Sequence, residues 1–331
     1  MARQTGAATI TVTNTNDSGP GSLRQALANA NNGDTIDFSP AVTGTIALTS
    51  GELLVGNSIT ISGPGANILA VNGNAASRVF HISSGKTVTI SGLTITNGSA
   101  AAGGGISNNH GTLTVSNCTI SGNSASSGGG IFNDGDSAGS ATLTINNSTL
   151  SGNSAFNGGG IFNDGESGSA TLTINNSTLS GNSASVGGGI FNDGTKGGSA
   201  TLTIGDTILS AGSGANISNN SGTVTSLGYN LSSDNGGGYL TATGDQINTD
   251  PRLGPLQDNG GPTFTHLPAS NSPAIDAGDP NFTPPPFNDQ RGCPFDRVFN
   301  GRIDIGSFET QPPPRRPCAT PRPRPTPPPR P

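Results

Sequence analysis

Four near-identical segments follow one another between Gly103 and Ser210. They read GGGISNNHGTLTVSNCTISGNSASS, GGGIFNDGDSAGSATLTINNSTLSGNSAFN, GGGIFNDGESGSATLTINNSTLSGNSASV and GGGIFNDGTKGGSATLTIGDTILS. The isoleucines that follow the glycine triplets are 25, 30 and 29 residues apart. A sequence that repeats at this period is typical of a solenoid, in which each copy packs mainly on its neighbours.

Apolar and hydroxyl side chains alternate within each copy, which indicates strands with one buried face. In residues 141–145, ATLTI, the alternation predicts Leu143 and Ile145 inside and the threonines outside. Asn146-Asn147 is predicted to form a corner, because asparagine accepts the left-handed backbone conformation at little cost. A second short strand follows with Leu150 inside, and the next corner begins at Gly152.

Three strands and three corners per copy predict one coil of a single-stranded parallel β-helix. Like residues should then stack, with Leu143 over Leu172 over Leu202 and Asn153 over Asn182, where amides can bond along the ladder. The general preference for right-handed crossovers predicts a right-handed helix. A further column is expected near the surface, under the variable loops that precede the ATLT strands: Phe132, Phe162 and Phe191.

The sequence divides into three parts. Residues 1–250 are predicted to form the β-helix, with clear repeats at 103–210 and with Val224, Leu227 and Leu231 buried in its last coils. A short helix at about 22–30 should cover the N-terminal end, capped by Ser22. Residues 251–310 should form a looped cap over the C-terminal end, and residues 311–331 a disordered Pro/Arg-rich tail.

The repeat resembles that of polymorphic outer-membrane proteins, since GGGIFND and LSGNSA are similar to the paired GGA[ILV] and FxxN motifs. It departs from them in its third glycine and in having Leu150 in place of Phe. SLRQAL at residue 22 resembles the region ahead of many bacterial secreted β-helices. The ordered phrases LGPLQDNGGPT, SPAIDAG, DQRG and DIGSFE resemble the C-terminal region of choice-of-anchor Q domain proteins. The resemblance implies a bacterial, secreted or surface-displayed, pectate-lyase-like solenoid of unassigned activity.

Composition limits the partners. Only 10% of residues are charged, and residues 1–310 carry a net charge of −11, so a nucleic-acid-binding surface is not expected. The tail carries five arginines and no acid. No apolar run could span a membrane or form a signal-peptide core, so any leader is not visible in this chain. Cys118, Cys293 and Cys318 cannot all pair within one chain, and whether the last two pair is left open.

The chemistry of the repeats favours a non-enzymatic, monomeric, structural or adhesin-like protein that contacts extracellular glycans or cell-envelope components. Asn248-Thr249-Asp250 is similar to a phrase of polygalacturonases, but the other motifs of those enzymes are absent. The repeats contain Lys196 and no arginine, whereas lyases use basic residues with acids or calcium. A carbohydrate-binding or polysaccharide-degrading lyase or hydrolase stays as the alternative.

Acidic residues recur at one place in the repeats. Stacking would form a column that could bind calcium through its oxygens, although Asn-Asp-Gly is also ordinary turn chemistry. The column consists of Asp134, Asp164 and Asp193, with Asp136 and Glu166 two residues further on. A second group of charged residues, in the C-terminal part, is expected to form ion pairs that hold loops: Asp276, Asp289, Arg291, Arg302, Asp304 and Glu309.

Threonines recur as Thr-x-Thr on the outward side of the ATLT strands. Such ladders resemble the ice-binding faces of some β-solenoids, although alternating threonine is also good strand sequence. Ice binding is therefore a minor alternative function. The ladder comprises Thr112/Thr114, Thr142/Thr144, Thr171/Thr173 and Thr201/Thr203.

Overall fold

The structure is a computed structural model that describes residues 6–312. Most of the predicted tail, with Cys318, lies outside the described residues. The elements, in chain order, are β1 (Thr9–Val12), α1 (Leu23–Asn29), β2 (Thr35–Phe38), β3 (Gly44–Ala47), β4 (Leu53–Val55), β5 (Thr60–Ser62), β6 (Leu69–Asn72), β7 (Phe80–Ile82), β8 (Thr87–Ser91), β9 (Thr94–Thr96), β10 (Ser99–Ala102), β11 (Ile106–Asn109), β12 (Thr112–Ser116), β13 (Thr119–Ser121), β14 (Ser124–Ser127), β15 (Ile131–Asp134), β16 (Ser140–Asn146), β17 (Thr149–Ser151), β18 (Ser154–Asn157), β19 (Ile161–Asp164), β20 (Ser169–Asn175), β21 (Thr178–Ser180), β22 (Ser183–Val186), β23 (Ile190–Asp193), β24 (Ser199–Gly205), β25 (Ile208–Ser210), β26 (Ile217–Asn220), β27 (Thr223–Gly228), β28 (Leu231–Ser232), β29 (Leu253–Asp258) and β30 (Phe264–Pro268).

The strands form four parallel sheets, as expected for a right-handed parallel β-helix. Sheet A has nine strands in the order β1-β2-β5-β8-β12-β16-β20-β24-β27, and sheet B has eight in the order β3-β6-β9-β13-β17-β21-β25-β28. Sheet C has seven in the order β4-β7-β11-β15-β19-β23-β26, and sheet D is the short stack β10-β14-β18-β22. The β29-β30 hairpin is antiparallel.

The coils stack in the predicted register. Leu143 pairs with Leu172, which pairs with Leu202, and all three side chains are fully buried in the central core. Asn147 adopts a left-handed backbone conformation with a φ of 51°, which confirms the predicted asparagine corner. The alternation of apolar and hydroxyl residues therefore identified the inner face of sheet A correctly.

Two rows of buried asparagines run along the inside of the tube. In sheet C, each Nδ2 donates to the Oδ1 of the next coil at 2.7 Å, along the buried row Asn108, Asn133, Asn163 and Asn192 and on to the half-buried Asn219. At the corner between sheets B and D, Asn123, Asn153 and Asn182 form the predicted second ladder with bonds of 2.9 Å. Because the buried amides are cut off from water, the Oδ1 atoms of Asn133, Asn163 and Asn192 depend on the adjacent coil for a donor, whereas the Nδ2 groups also donate to backbone carbonyls.

The two ends of the core are closed by different elements. At the N-terminal end α1 buries Leu23, Ala26 and Leu27, and Ser22 accepts a hydrogen bond from the backbone N–H of Gln25, as predicted. At the other end the chain after β28 brings Leu240 into the same core. The expectation that Leu227 is buried is wrong, because the register of β27 shifts there and leaves the side chain 58% exposed.

Sheet D was not expected. The corner predicted at residues 152–155 ends in a strand, because near-identical small-residue segments in successive coils supply backbone partners for one another. The predicted phenylalanine column is present, and it contacts sheet D. Phe132, Phe162 and Phe191 pack against Ala102 and Val186, which belong to sheet D, and are at least 91% buried.

Residues 251–312 were predicted to cap the C-terminal end of the β-helix. This C-terminal segment does contact the last coils, but it also extends well beyond them. It runs back along the outside of sheet B as far as Asn67, whose backbone N–H donates to the carbonyl of Pro262. It therefore buries a row of threonines that point out of the tube: Thr119, Thr149 and Thr178. Thr149 Oγ1 donates to Gln290 Oε1 at 2.6 Å, so the hydroxyl row provides hydrogen-bond partners for this segment.

Replacing Asn163 by Ala should destabilise the protein by about 2 kcal/mol, because buried amide groups of the adjacent coils lose their partner. The Asn157→Ser variant, which carries the residue that sheet D has one coil earlier, should change the stability little. The stabilities of the two variants are compared through their midpoints of denaturant unfolding, monitored by circular dichroism. Equal midpoints for the two variants would contradict a stabilising role for the inner ladder.

Candidate functional site

The predicted acidic column is assembled at the ends of the sheet C strands. Asp134 pairs with Asp164, which pairs with Asp193 in the next coil, so the three carboxylates follow the helix axis at the spacing of the coils. The side chain of each accepts a hydrogen bond from the backbone N–H two residues on, at 3.4, 3.0 and 3.1 Å. This is the turn chemistry that Asn-Asp-Gly predicted.

Burial and the charges of neighbouring acids raise the pKa of the Asp134 and Asp164 carboxyl groups. Asp164, in the middle of the column, is 93% buried, and its pKa rises to about 6, chiefly through desolvation and secondarily through the charges of Asp134, Asp136 and Asp193. The pKa of Asp134 is raised for the same reasons. Asp164 is therefore partly protonated in mildly acidic solution.

Two basic side chains lie beside the column. Lys196 forms an ion pair with Glu166, and His110 Nε2 lies 3.7 Å from Asp136 Oδ1 and 3.9 Å from Asp134 Oδ1. Potential ligand atoms of His110, Asp134 and Asp136 lie within 4.8 Å of one another. This geometry is compatible with a cation, but each feature also has a structural explanation, so calcium binding stays a prediction.

The column is the arrangement that comes nearest to a catalytic pair. Glycoside hydrolysis uses two carboxyl groups roughly 5–10 Å apart, one protonated and one ionised. Asp134 and Asp164 are register neighbours, and the pKa of Asp164 is raised. However, Asp164 and Asp193 are more than 90% buried, which restricts access of a polymer to their oxygens.

The charged residues of the C-terminal segment mostly bond to backbone groups. Arg291 pairs with Asp289 at 2.6 Å and is sandwiched between the rings of Phe295 and Phe308, so the predicted ion pair is confirmed there. Arg302 instead donates to two backbone carbonyls. The prediction of an ion-pair network is therefore correct only for the first of these arginines.

Glu309 and Asp304 lie together in the interior of this segment. Glu309 accepts hydrogen bonds from the backbone N–H groups of Phe299 and Asp304. Desolvation, reinforced by the Asp304 charge, raises the pKa of Glu309 to about 9. Asp276, the third acid nearby, donates its backbone N–H to Asp304. The cluster thus connects loops inside the segment.

The outward threonines of sheet A form a regular array. Two columns run through β8, β12, β16, β20, β24 and β27, one through Thr87, Thr112, Thr142, Thr171, Thr201 and Thr223, the other through Thr89, Thr114, Thr144, Thr173, Thr203 and Thr225. Within residues 6–312 none of their hydroxyl groups forms a hydrogen bond, in contrast to the covered threonines of sheet B.

A groove that the sequence did not predict lies between the β-helix and the C-terminal segment. It has a volume of about 470 Å³. One wall is the corner between sheets A and B, with Asn117, Asn147, Asn176 and Asp206 in successive coils. The other wall is formed by Phe282, Pro285 and Pro286. In the sequence, the only signal for this groove was the asparagine repeated at the corner, and asparagine at that position is also typical of an ordinary turn.

Comparisons with known proteins assign no family. No protein-family model and no curated protein matches the chain. Among solved structures, the chain is similar to one described as the crystal structure of pectate lyase Pel9A, with 15% sequence identity and a TM-score of 0.35 over 93% of this chain and 97% of that chain. A similarity this low carries no argument about activity. No helix within residues 6–312 is long and apolar enough to cross a membrane.

The Asp164→Asn variant should be more stable than the parent protein at pH 7 by about 1 kcal/mol. The folded protein holds a proton on Asp164 up to about pH 6, whereas the unfolded chain releases it near pH 3.8. This residue's stabilising contribution is therefore present below pH 3.8 and is lost as the pH rises through 6. Unfolding midpoints measured from pH 4 to 8 should show the advantage shrinking in acid. The exposed Asp258→Asn variant is the control, and an advantage independent of pH would contradict the assignment.

Proposed function

We propose that this protein is a non-enzymatic structural or adhesin-like β-helix that is secreted or displayed at the cell surface. One observation carries the proposal: from β5 to β27 the outward side of sheet A presents serine, threonine, asparagine and glycine, with Leu227 as the exception and no charged residue. A long face of hydroxyl and amide groups can contact other polymers, but it holds no acid or base for proton transfer.

The arrangement of the remaining charged groups supports the same proposal. Arg24 bonds to Asp17 and to two backbone carbonyls at the N-terminal end, and Arg291 is enclosed within the C-terminal segment. The acids of the column accept hydrogen bonds from their own turns. Each of these groups therefore already has structural contacts, and it would have to lose one of them to act on a substrate.

The test is a polysaccharide-degradation screen run beside a glycan array on the full chain. We expect binding to extracellular or cell-envelope glycans without release of reducing or unsaturated ends. Asp164→Asn serves as the matched variant, because it preserves the turn and removes one carboxylate of the only stacked acid column within residues 6–312. Turnover of any polymer that this variant abolishes would refute the proposal in favour of a hydrolase or lyase.

Ice binding is a second candidate, favoured by the array of outward threonines. The strands of neighbouring coils are about 4.8 Å apart, and alternate residues along a strand are about 6.7 Å apart, so the hydroxyl groups form a regular two-dimensional lattice. A lattice of this kind can order water only if it is uninterrupted and uncovered. Both conditions hold for the two columns from β8 to β27 within the described part of the chain.

If this second candidate is right, the protein should show thermal hysteresis that the Thr144→Tyr variant removes, because a bulky ring interrupts the lattice. Thr241→Tyr, at an exposed position outside sheet A, should leave the hysteresis intact. Absence of hysteresis in the parent protein, or equal hysteresis in both variants, would exclude ice binding through this face.

A further inference from the structure

The groove beside sheet A carries unused hydrogen-bonding capacity. Among residues 6–312, no partner engages Nδ2 of Asn117, Asn146 or Asn176, and none engages Oδ1 of Asn175 or Oδ2 of Asp206. These atoms are not sealed in the interior, so a molecule in the groove can reach them. The wall thus offers both donors and acceptors in a row.

The positions of these atoms are set by the fold. Asn117, Asn147, Asn176 and Asp206 have φ angles between 49° and 51°, so the same corner is repeated in four coils. Arg297 Nη2 donates to Asn176 Oδ1 at 3.0 Å, and the backbone N–H of Asp279 donates to Asp206 Oδ1 at 2.8 Å. Asn117, Asn176 and Asp206 are therefore each held by one side-chain atom while the other polar atom is left for a ligand, whereas Asn147 donates to Asn117 Oδ1 and extends the row.

The opposite wall is apolar. Phe282 and Pro286 are partly exposed, and they face the polar row across the groove. A ligand that fits must have polar groups at its edges and an apolar surface that packs on a ring. Four coils about 4.8 Å apart give the polar row a length of about 14 Å, which suits an extended chain of several similar units.

We propose that this groove binds a short stretch of a neutral polysaccharide. Sugar hydroxyl groups both donate and accept hydrogen bonds, as the amides of the row require, and the C–H face of a pyranose ring can pack on Phe282. An anionic polymer is disfavoured, because Asp206 is the one ionisable residue of the lining and it is acidic. The inference rests on the proposed function and names a ligand class and a site for it.

The experiment is calorimetric titration of the full chain with cellohexaose and mannohexaose, and with trigalacturonate as the anionic probe. The Asn146→Ser/Asn175→Ser double variant removes two amides and substitutes the residue that the same register position carries at Ser116. Phe282→Ala removes the ring. Asn157→Ser is the matched control, since it makes the same exchange in sheet D, where Ser127 occupies the equivalent position.

We expect at least one neutral hexasaccharide to bind, with affinity about tenfold weaker in the double variant and in Phe282→Ala. The control should bind like the parent protein, and unchanged thermal unfolding should show that every variant is folded. Absence of neutral binding, equal affinity in all variants, or preference for trigalacturonate would overturn the proposal. Cleavage of a hexasaccharide that binds in the groove would support the site but refute the non-enzymatic function, so the two failures are distinguishable.

Discussion

In-register stacking of one coil on the next is the constraint on which the rest of this structure depends. The backbone groups of each strand bond to the coils on either side, and the side chains along the axis are then nearly the same residue repeated. The inner row that includes Asn133 and Asn163 is possible only in this register, because an asparagine opposite a leucine would leave buried amides unpaired. A slip of one residue would also turn every inner side chain outward. The contacts that set the register of the coils are therefore the same contacts that stabilise the fold.

Two rows of threonine show how context changes the role of one residue type. On sheet B, Thr149 and Thr178 bond to Gln290 and Ser307, so the hydroxyl row provides partners for a segment that has few strands of its own. On sheet A the outward threonine hydroxyl groups have no hydrogen-bond partner within residues 6–312. The covered face of sheet B anchors the C-terminal segment, whereas the open face of sheet A is left accessible. Arg291 and Glu309 are buried within the C-terminal segment, on the covered side of the molecule.

The groove exists because these two parts meet. The repeat places Asn176 and Asp206 at equivalent corners, and the C-terminal segment brings Phe282 opposite them. The acidic column of sheet C has a different character, because its carboxylates face like charges and their own turns. An amide row beside a ring is suited to neutral sugars, while the column mainly makes the stability of the fold depend on pH. The groove therefore has a better geometry for a ligand than the acidic column.

By itself the sequence determined the β-helix, its register, the asparagine corners and the stacking of Asp134, Asp164 and Asp193, because each follows from a local pattern repeated at one period. It also determined the capping helix, because the Ser22 cap and the apolar face are a local signal. It could not reveal sheet D, the burial of Phe162, the path of the C-terminal segment or the groove. The residues of sheet D, mostly serine and alanine, have weak strand propensity and pair with similar segments in the adjacent coils. Residues 251–312 do not repeat, and their contacts reach from Gln290 to Thr149 across 141 positions, so no local pattern encodes them. Only the tertiary structure decided which outward face is covered, since that depends on where a nonrepeating chain finds hydrogen-bond partners.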